Sequence, residues 1–575
     1  MPETTPPEPP KLEDLQHWTW VLGRAQQMML EHGIDALEKA PAMPAMMDPT
    51  AAVRATASFW ADTMQLWQRF LDPASAEPFA ETPEQARDKR FKAAAWREEP
   101  VFDFLRQSYF MIADHMLKGV DAIEGVDEKQ KEQIRFATKG FIDAVSPTNF
   151  PATNPEVIDK VIETKGESLL KGLQHMMADI QKGQMTQGDP NAFELGRNLA
   201  MTPGKVVKRT GLYELIQYSP ATESVYKIPL LIFPPWINRF YILDLTPEKS
   251  FIRWAVEQGL TVFVVSWKSA DASMKDIVWD DYIERGQIDA IDTVRELLGV
   301  EGVHAIGYCV AGTTLAATLA VLHARKQAAK VKSATFFTAQ VDFSEAGDLT
   351  MFVDDDQLAL IQSLGGEGFL DGRYMAATFN LLRGRDLIWN YVTNNYLMGK
   401  DYAPFDLLHW NSDVTNLPAK WHLDYLTDLY RDNKLAQPGA MSVAGTPVDL
   451  GVVTTPTYVQ AGREDHIAPA ASVWKITHHF KGPLKFVLAG SGHIAGVVNP
   501  PSSGKYQYWT NDKKVETLTE FFAGAKETKG SWWPDWIGWI DSVDSEKVPA
   551  KGARVAGKGK FKPLGDAPGT YVRMR

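Results

Sequence analysis

The chain has 575 residues, 45% of them hydrophobic and 23% charged, enough for a large core built over more than one domain. Its formal net charge of -12 argues against nucleic-acid binding, which needs a basic face. The single cysteine, Cys309, excludes an intramolecular disulfide and a cysteine-based metal cluster, and it fits a reducing cytoplasm.

The first residues, MPETTPPEPP, read as a disordered leader over 1–10, with no basic start and apolar run of the kind a signal peptide carries. No stretch approaches the roughly 18 uninterrupted apolar residues of a membrane helix, so no transmembrane segment is expected. Residues 11–203 read as a mostly helical N-terminal domain. Val101, Leu105, Tyr109, Ile112 and Met116 recur at spacings of three or four and predict one face of a helix, and looser patterns of the same kind run through 130–146 and 156–182.

From Gly204 the pattern changes. Apolar β-rich runs at Lys205–Arg209, Tyr213–Ser219, Pro229–Phe233, Leu260–Trp267, Val303–Tyr308, Ser333–Thr338, Thr457–Gln460 and Leu484–Leu488 alternate with helical stretches. Several are continuous Val/Ile/Leu/Phe runs, the mark of strands buried on both faces of a parallel sheet. The helix following Leu245 has start signals in Thr246 as N-cap, Pro247 at the first position and Glu248 in the first turn. The fold class is therefore α/β over 204–575. The runs at 333–338 and 457–460 are separated by 118 residues, 339–456, far beyond the roughly 2–6 residues of an ordinary connection. This segment is rich in aromatic and aliphatic residues and predicts an inserted cap over about 341–450. A structural insertion or a dimer surface is the competing reading. Near the end, SWWPDWIGWI at 531–540 holds four tryptophans, which read as core packing. Residues 551–575 carry seven Lys or Arg against one Asp and read as a solvated basic tail.

Chemistry concentrates at three places. VHAIGYCVAGTTLAATLAVLHARK, 303–326, reads as a strand, a tight turn and a small-residue helix, with Cys309 at the turn. This resembles the nucleophile elbow of α/β-hydrolases, in which the backbone N–H of the next residue, here Val310, is one oxyanion donor. A cysteine at a helix N-terminus favours its thiolate. A lone cysteine is otherwise a small buried hydrophobe; the strand–turn–helix setting favours the nucleophile. TPTYVQAGREDHIAP places Asp465 in the loop after a later strand, and PLKFVLAGSGHIAG places His493 in the Gly-rich loop after the next. Acid then base after the nucleophile is the order such folds use. His466 is the nearest competitor as base but adjoins the acid. In these roles His493 takes the thiol proton and later activates a hydroxyl, and Asp465 orients the imidazole. A cysteine acyl-enzyme keeps the activation of a thioester, so the triad suits thioester substrates.

Together these motifs resemble the class I poly(3-hydroxyalkanoate) synthases. The resemblance rests on GYCVAGT, GREDHIAP and GSGHIAGVVNPP, with RDKRFKAAAWREEPVFDFLRQSY at 87–109, SPTNFPATNPE at 146–156, LLIFPPWINRFYILDL at 230–245 and the terminal APGTYV. It spans about residues 85–575. It implies an α/β-hydrolase core that polymerises (R)-3-hydroxyacyl-CoA with release of CoA, short acyl chains such as 3-hydroxybutyryl being preferred. It carries the triad onto Cys309, Asp465 and His493. It puts the second oxyanion donor in PPWIN, 234–238, at Trp236 or Ile237. It further implies a cytoplasmic homodimer on polyester granules, with no bound cofactor or metal and CoA entering only as the thioester. The helical N-terminal region would contact granules or support the dimer. The departures are Ala311 in the elbow and Arg239-Phe240 where Lys-Tyr is common. A hydrolase with the same triad and a non-catalytic granule-coating protein are the rival readings.

Overall fold

The computed structural model describes residues 49–71 and 81–574, with the side chains of 49–56 left out. The expected leader at 1–10 lies outside the described residues. The chain divides into two units, one running to Asp189 and taking in Ala376–Ala403, the other made of Pro190–Met375 and Pro404–Arg575. Among the described residues no helix is long and apolar enough to cross a membrane.

The first unit is helical where described: Pro49–Leu71, Pro100–Asp121, Glu128–Ala144, Pro155–Glu163 and Glu167–Lys182 are its main helices. The stretch read as one pattern over 156–182 is two helices, split at Gly166, which takes φ 89°. On Pro100–Asp121 the expected face is only partly the buried one. Tyr109 is inside, but Val101 and Ile112 are exposed, because Phe91 and Trp96 cover the side of the helix that holds Tyr109 and Phe110. Residues 376–403 join this unit for local reasons. Gly172 lets the 167–182 helix pass so close to Tyr396 that any Cβ there would strike its carbonyl. Tyr396 Oη donates to Asp179 at 2.7 Å, and Arg385 binds Asp143 at 2.9 Å. The sequence-based boundaries, 203/204 for the domains and 341–450 for a cap, therefore cut the chain differently from these contacts.

The second unit is built on an eleven-stranded sheet, numbered here along the chain: β1 Gly204–Arg209, β2 Tyr213–Tyr218, β3 Leu230–Phe233, β4 Val262–Trp267, β5 Val303–Tyr308, β6 Val331–Phe337, β7 Thr457–Gly462, β8 Leu484–Ala489, β9 Gln507–Thr510, β10 Lys526–Lys529 and β11 Gly565–Asp566. Their order is β10-β9-β8-β7-β6-β5-β3-β4-β2-β1-β11. The six strands from β8 to β4 are mutually parallel, and β2, β1, β11, β9 and β10 extend the two edges in antiparallel fashion. All eight runs predicted as strands lie in this sheet.

Alternation along each strand sorts the core into two layers. Leu231, Phe233, Phe263, Val265, Ala305 and Phe336 face one cluster; Leu230, Ile232, Val262, Val264, Ile306 and Phe337 face the other. The helix Val310–Ala324 is buried on every side from Val310 to Leu322, which explains its run of Ala, Gly, Thr and Leu. The helix expected at Thr246 starts later. Thr246 makes no capping bond and leads only a 3-10 turn, Pro247–Lys249. The N-cap is Ser250, whose Oγ accepts from Arg253 N at 2.8 Å and opens Phe251–Glu257. Trp532, Trp533 and Trp536 pack in the core as expected. The basic tail is not a loose solvated end: β11 pairs with β1, and buried Arg554 donates to the carbonyl of Lys227 at 2.6 Å.

Candidate active site

The β5–helix junction forces Cys309 into φ 54°, ψ -128°, a conformation that costs an L-residue about 1–3 kcal/mol and needs surroundings that impose it. Those surroundings are two glycines. A Cβ on Gly307 would lie 2.5 Å from Gly312 Cα, and one on Gly312 would lie 2.8 Å from Gly307 O. The close approach thus falls on Gly312, one residue after Ala311, so Ala311 does not disturb the turn. Cys309 N donates to Phe337 O at the end of β6, 2.9 Å, which ties the elbow to its neighbouring strand. Cys309 as a residue is half-buried. Val310 opens the helix, so its N–H has no carbonyl four residues back within that helix.

Asp465 sits beyond β7 with its side chain fully enclosed. Oδ1 accepts the N–H groups of Ile467 and Ala468, each at 2.9 Å, and Oδ2 meets His493 Nδ1 at 2.8 Å. Three N–H partners are thus gathered on one carboxyl group. The acid and base loops are also joined by backbone: Arg463 N donates to Ala489 O at 2.8 Å and Glu464 N to Ser491 O at 3.2 Å. Gly462 permits this, since a Cβ there would stand 2.8 Å from Ser491 O. His493 is the histidine whose Nδ1 meets Asp465 Oδ2.

Burial by itself lowers the basicity of the His493 imidazole. The Asp465 carboxylate, followed by Cys309, more than offsets this and lifts the pKa from 6.5 to about 10. The ring with Nδ1 on Asp465 thus leaves Nε2 for Cys309, and the three expected residues, from the ends of β5, β7 and β8, share one place.

Trp236 and Ile237 follow β3 at the same end of the sheet. Trp236 is buried, stacks on Tyr282 at 4.0 Å between ring centres, and its carbonyl accepts Thr415 Oγ1 at 2.6 Å. Ile237 is half-buried. Tyr308, not singled out from sequence, donates its Oη to His493 O at 3.0 Å. Arg239, one of the noted departures, is buried and donates to the carbonyls of Tyr571 and Met574, 3.3 and 2.6 Å away. Among the described residues no group of three or more His, Cys, Asp or Glu side chains is placed to hold a metal ion.

A cysteine, a histidine and a buried carboxylate at the carboxyl ends of a mostly parallel sheet place the protein in the α/β-hydrolase fold, and the profile of that fold matches residues 233–500. A second profile, described as the N-terminus of poly-beta-hydroxybutyrate polymerase, matches residues 87–255. The poly(3-hydroxyalkanoate) polymerase subunit PhaC of Rhizobium meliloti is 45% identical over 92% of this chain and 87% of its own. The protein of the same name in Cupriavidus necator is 43% identical over 94% of this chain and 91% of its own. The poly(3-hydroxyalkanoate) polymerase of Methylorubrum extorquens is 44% identical over 92% and 88%. The chain belongs to the poly(3-hydroxyalkanoate) polymerase family and is an acyltransferase.

Proposed function

We propose that this chain polymerises (R)-3-hydroxyacyl-CoA through a thioester on Cys309, with His493 as base and Asp465 as its orienting acid. The observation that carries the reading is the pairing of His493 Nδ1 with the enclosed Asp465 carboxylate at 2.8 Å, beside a strained elbow whose Cys309, after Asp465, adds to the imidazole's raised basicity. Cys309 Sγ attacks the thioester carbonyl after giving its proton to His493. The negative oxygen that forms is met by the N–H of Val310 and by that of Trp236 or Ile237. The carbon–sulfur bond to CoA breaks, the proton passes from His493 to the departing thiolate, and free CoA leaves with the acyl group on Cys309. The 3-hydroxyl of a second 3-hydroxyacyl unit then attacks. His493 takes its proton, an ester forms, and the Cys309 thiolate is released to be reprotonated. Thiol–thioester exchange is close to balanced in energy, so the acyl group keeps its activation between transfers.

Membership of the polymerase family supports this substrate class, and the reading takes short chains such as 3-hydroxybutyryl as the preferred acyl group. CoA enters as substrate and leaves as product, and no cofactor is needed. The single cysteine suits a reducing cytoplasm. The working form is a homodimer at the surface of a polyester granule, holding the growing chain. The parts of the β6–β7 connection that belong to the second unit act as a cap over the site. Incubation with (R)-3-hydroxybutyryl-CoA, following free CoA and insoluble polyester together, tests the reading. Matched CoA and polyester, absent in Cys309→Ala, support it. CoA release that leaves only free 3-hydroxybutyrate makes water the acceptor and the protein a hydrolase. No release from this or longer acyl-CoA substrates favours a coat protein.

A further inference from the structure

We propose that Trp532 and Trp533 are positioning residues for His493, holding its loop through their indole N–H groups. The inference rests on the reading of His493 as the base. The loop from Gly490 to Pro500 contains Gly490, Gly492 and Gly496 and no helix or strand, so only single-turn bonds restrain it from within. Inside it, Gly496 N donates to Gly492 O at 2.8 Å and Val497 N to Ile494 O at 3.0 Å, closing a turn around His493. The carbonyls of Gly496 and Val497 also accept from outside the loop, Val497 O in addition to Asn499 N at 3.1 Å. Trp532 Nε1 donates to Gly496 O at 2.8 Å, and Trp533 Nε1 donates to Val497 O at 3.0 Å. Two consecutive donors thus meet two consecutive acceptors, three and four residues after the base. Both indoles are fully buried, so water cannot replace either bond.

Trp532 also reaches the nucleophile's seat. Its ring packs edge-on against Phe337 at 5.1 Å, and the Phe337 carbonyl accepts the Cys309 N–H. One side chain therefore touches both the base loop and the strand end that fixes the elbow. Core packing alone does not require this, since phenylalanine would fill much of the same space. Trp536 supplies the contrast. It is equally buried and belongs to the same helix, Trp533–Val543, but its Nε1 donates to Thr335 Oγ1 at 3.0 Å and not to the loop.

The test compares full-length W532F/W533F, W536F, H493Q and the unchanged chain. Two rates are measured beside the melting temperature: CoA release from (R)-3-hydroxybutyryl-CoA and alkylation of Cys309, the sole cysteine, by iodoacetamide. The double variant is expected to lose about tenfold or more in kcat, with KM changed less than about twofold and alkylation slowed in parallel, since small misplacement of a reacting group is costly. W536F is expected to melt lower but keep both rates within about twofold. If W532F/W533F and W536F lose activity alike, in step with their melting temperatures, the indoles only pack and the inference is overturned. If H493Q leaves both rates unchanged, it is the assignment of the base that fails. Should the double variant not fold, W532F and W533F singly carry the same comparison.

Discussion

Asp465→Asn isolates the role of the acid with little change in shape. In the native site Oδ1 accepts two backbone N–H groups at 2.9 Å, so the asparagine must keep its carbonyl oxygen there. Its amide NH2 is then turned to His493 Nδ1, which in the native protein donates a hydrogen bond to Oδ2 at 2.8 Å. Two donors cannot face each other at that distance. The imidazole is driven to the tautomer protonated on Nε2, the nitrogen left for Cys309, and can no longer accept the thiol proton. Trapping the wrong tautomer in a triad lowers kcat by about 10⁴-fold, equivalent to roughly 5 kcal/mol of barrier. The fold survives because the two backbone bonds survive. Loss of the carboxylate also leaves burial opposed mainly by Cys309, so the imidazole pKa falls from about 10 toward its ordinary 6.5. A folded value above the unfolded one means the imidazolium stabilises the native state fully below pH 6.5, and this contribution is lost as pH rises to about 10. The urea stability gap between native and variant protein is therefore widest near pH 6 and narrows toward pH 10. CoA release assays and urea titrations across this range measure both. A folded variant retaining more than a tenth of native kcat would refute the reasoning.

Gly312→Ala places a Cβ 2.8 Å from Gly307 O and against Ala339, so it should cost about 1–3 kcal/mol in urea unfolding and slow alkylation of Cys309. Ala311→Gly, which restores the commoner elbow, should cost only the roughly 0.5–1 kcal/mol of a helical glycine in the same titration. Ser250→Ala removes the cap on Arg253 N and the 2.6 Å bond to the buried Asp244 carboxylate, a loss of about 2–4 kcal/mol in thermal unfolding, whereas Thr246→Ala should change it by less than about 0.5 kcal/mol. Arg239→Met strips the cation from the Tyr571 and Met574 carbonyls and from Asp413 at 3.4 Å. It should destabilise by about 3–5 kcal/mol and speed amide exchange across 571–574.

The central sheet was legible because its strands are buried on both faces and so read as unbroken apolar runs, as Val262–Trp267 and Val303–Tyr308 do. The edges were not. Lys526–Lys529 is KETK, largely exposed, and Gly565–Asp566 is too short to carry a pattern. Thr246-Pro247-Glu248 has the composition of a helix start, yet the competing partner Ser250 wins because Asp244 holds its hydroxyl in place. The membership of 376–403 in the helical unit turns on a missing Cβ at Gly172, which no periodicity reveals. For the site, the spacing of Cys309, Asp465 and His493 along the chain was readable because each follows a recognisable strand. Their supports were not. Tyr308, Trp532 and Trp533 look like ordinary aromatic core until the direction of each polar atom is known. The Arg239 clamp on the last residues joins positions more than 330 apart in sequence, and a basic tail rich in Lys and Arg gives no hint of it.

The most direct test of the account is whether the acyl group rides on Cys309. The chain is mixed with (R)-3-hydroxybutyryl-CoA, quenched in acid within a turnover, digested, and the peptide containing the sole cysteine weighed by mass spectrometry. The account predicts one or more 3-hydroxyacyl units on Cys309, removable by hydroxylamine and absent in Cys309→Ala, which releases no CoA. Full CoA release with Cys309 unmodified, or turnover by Cys309→Ala, would contradict it.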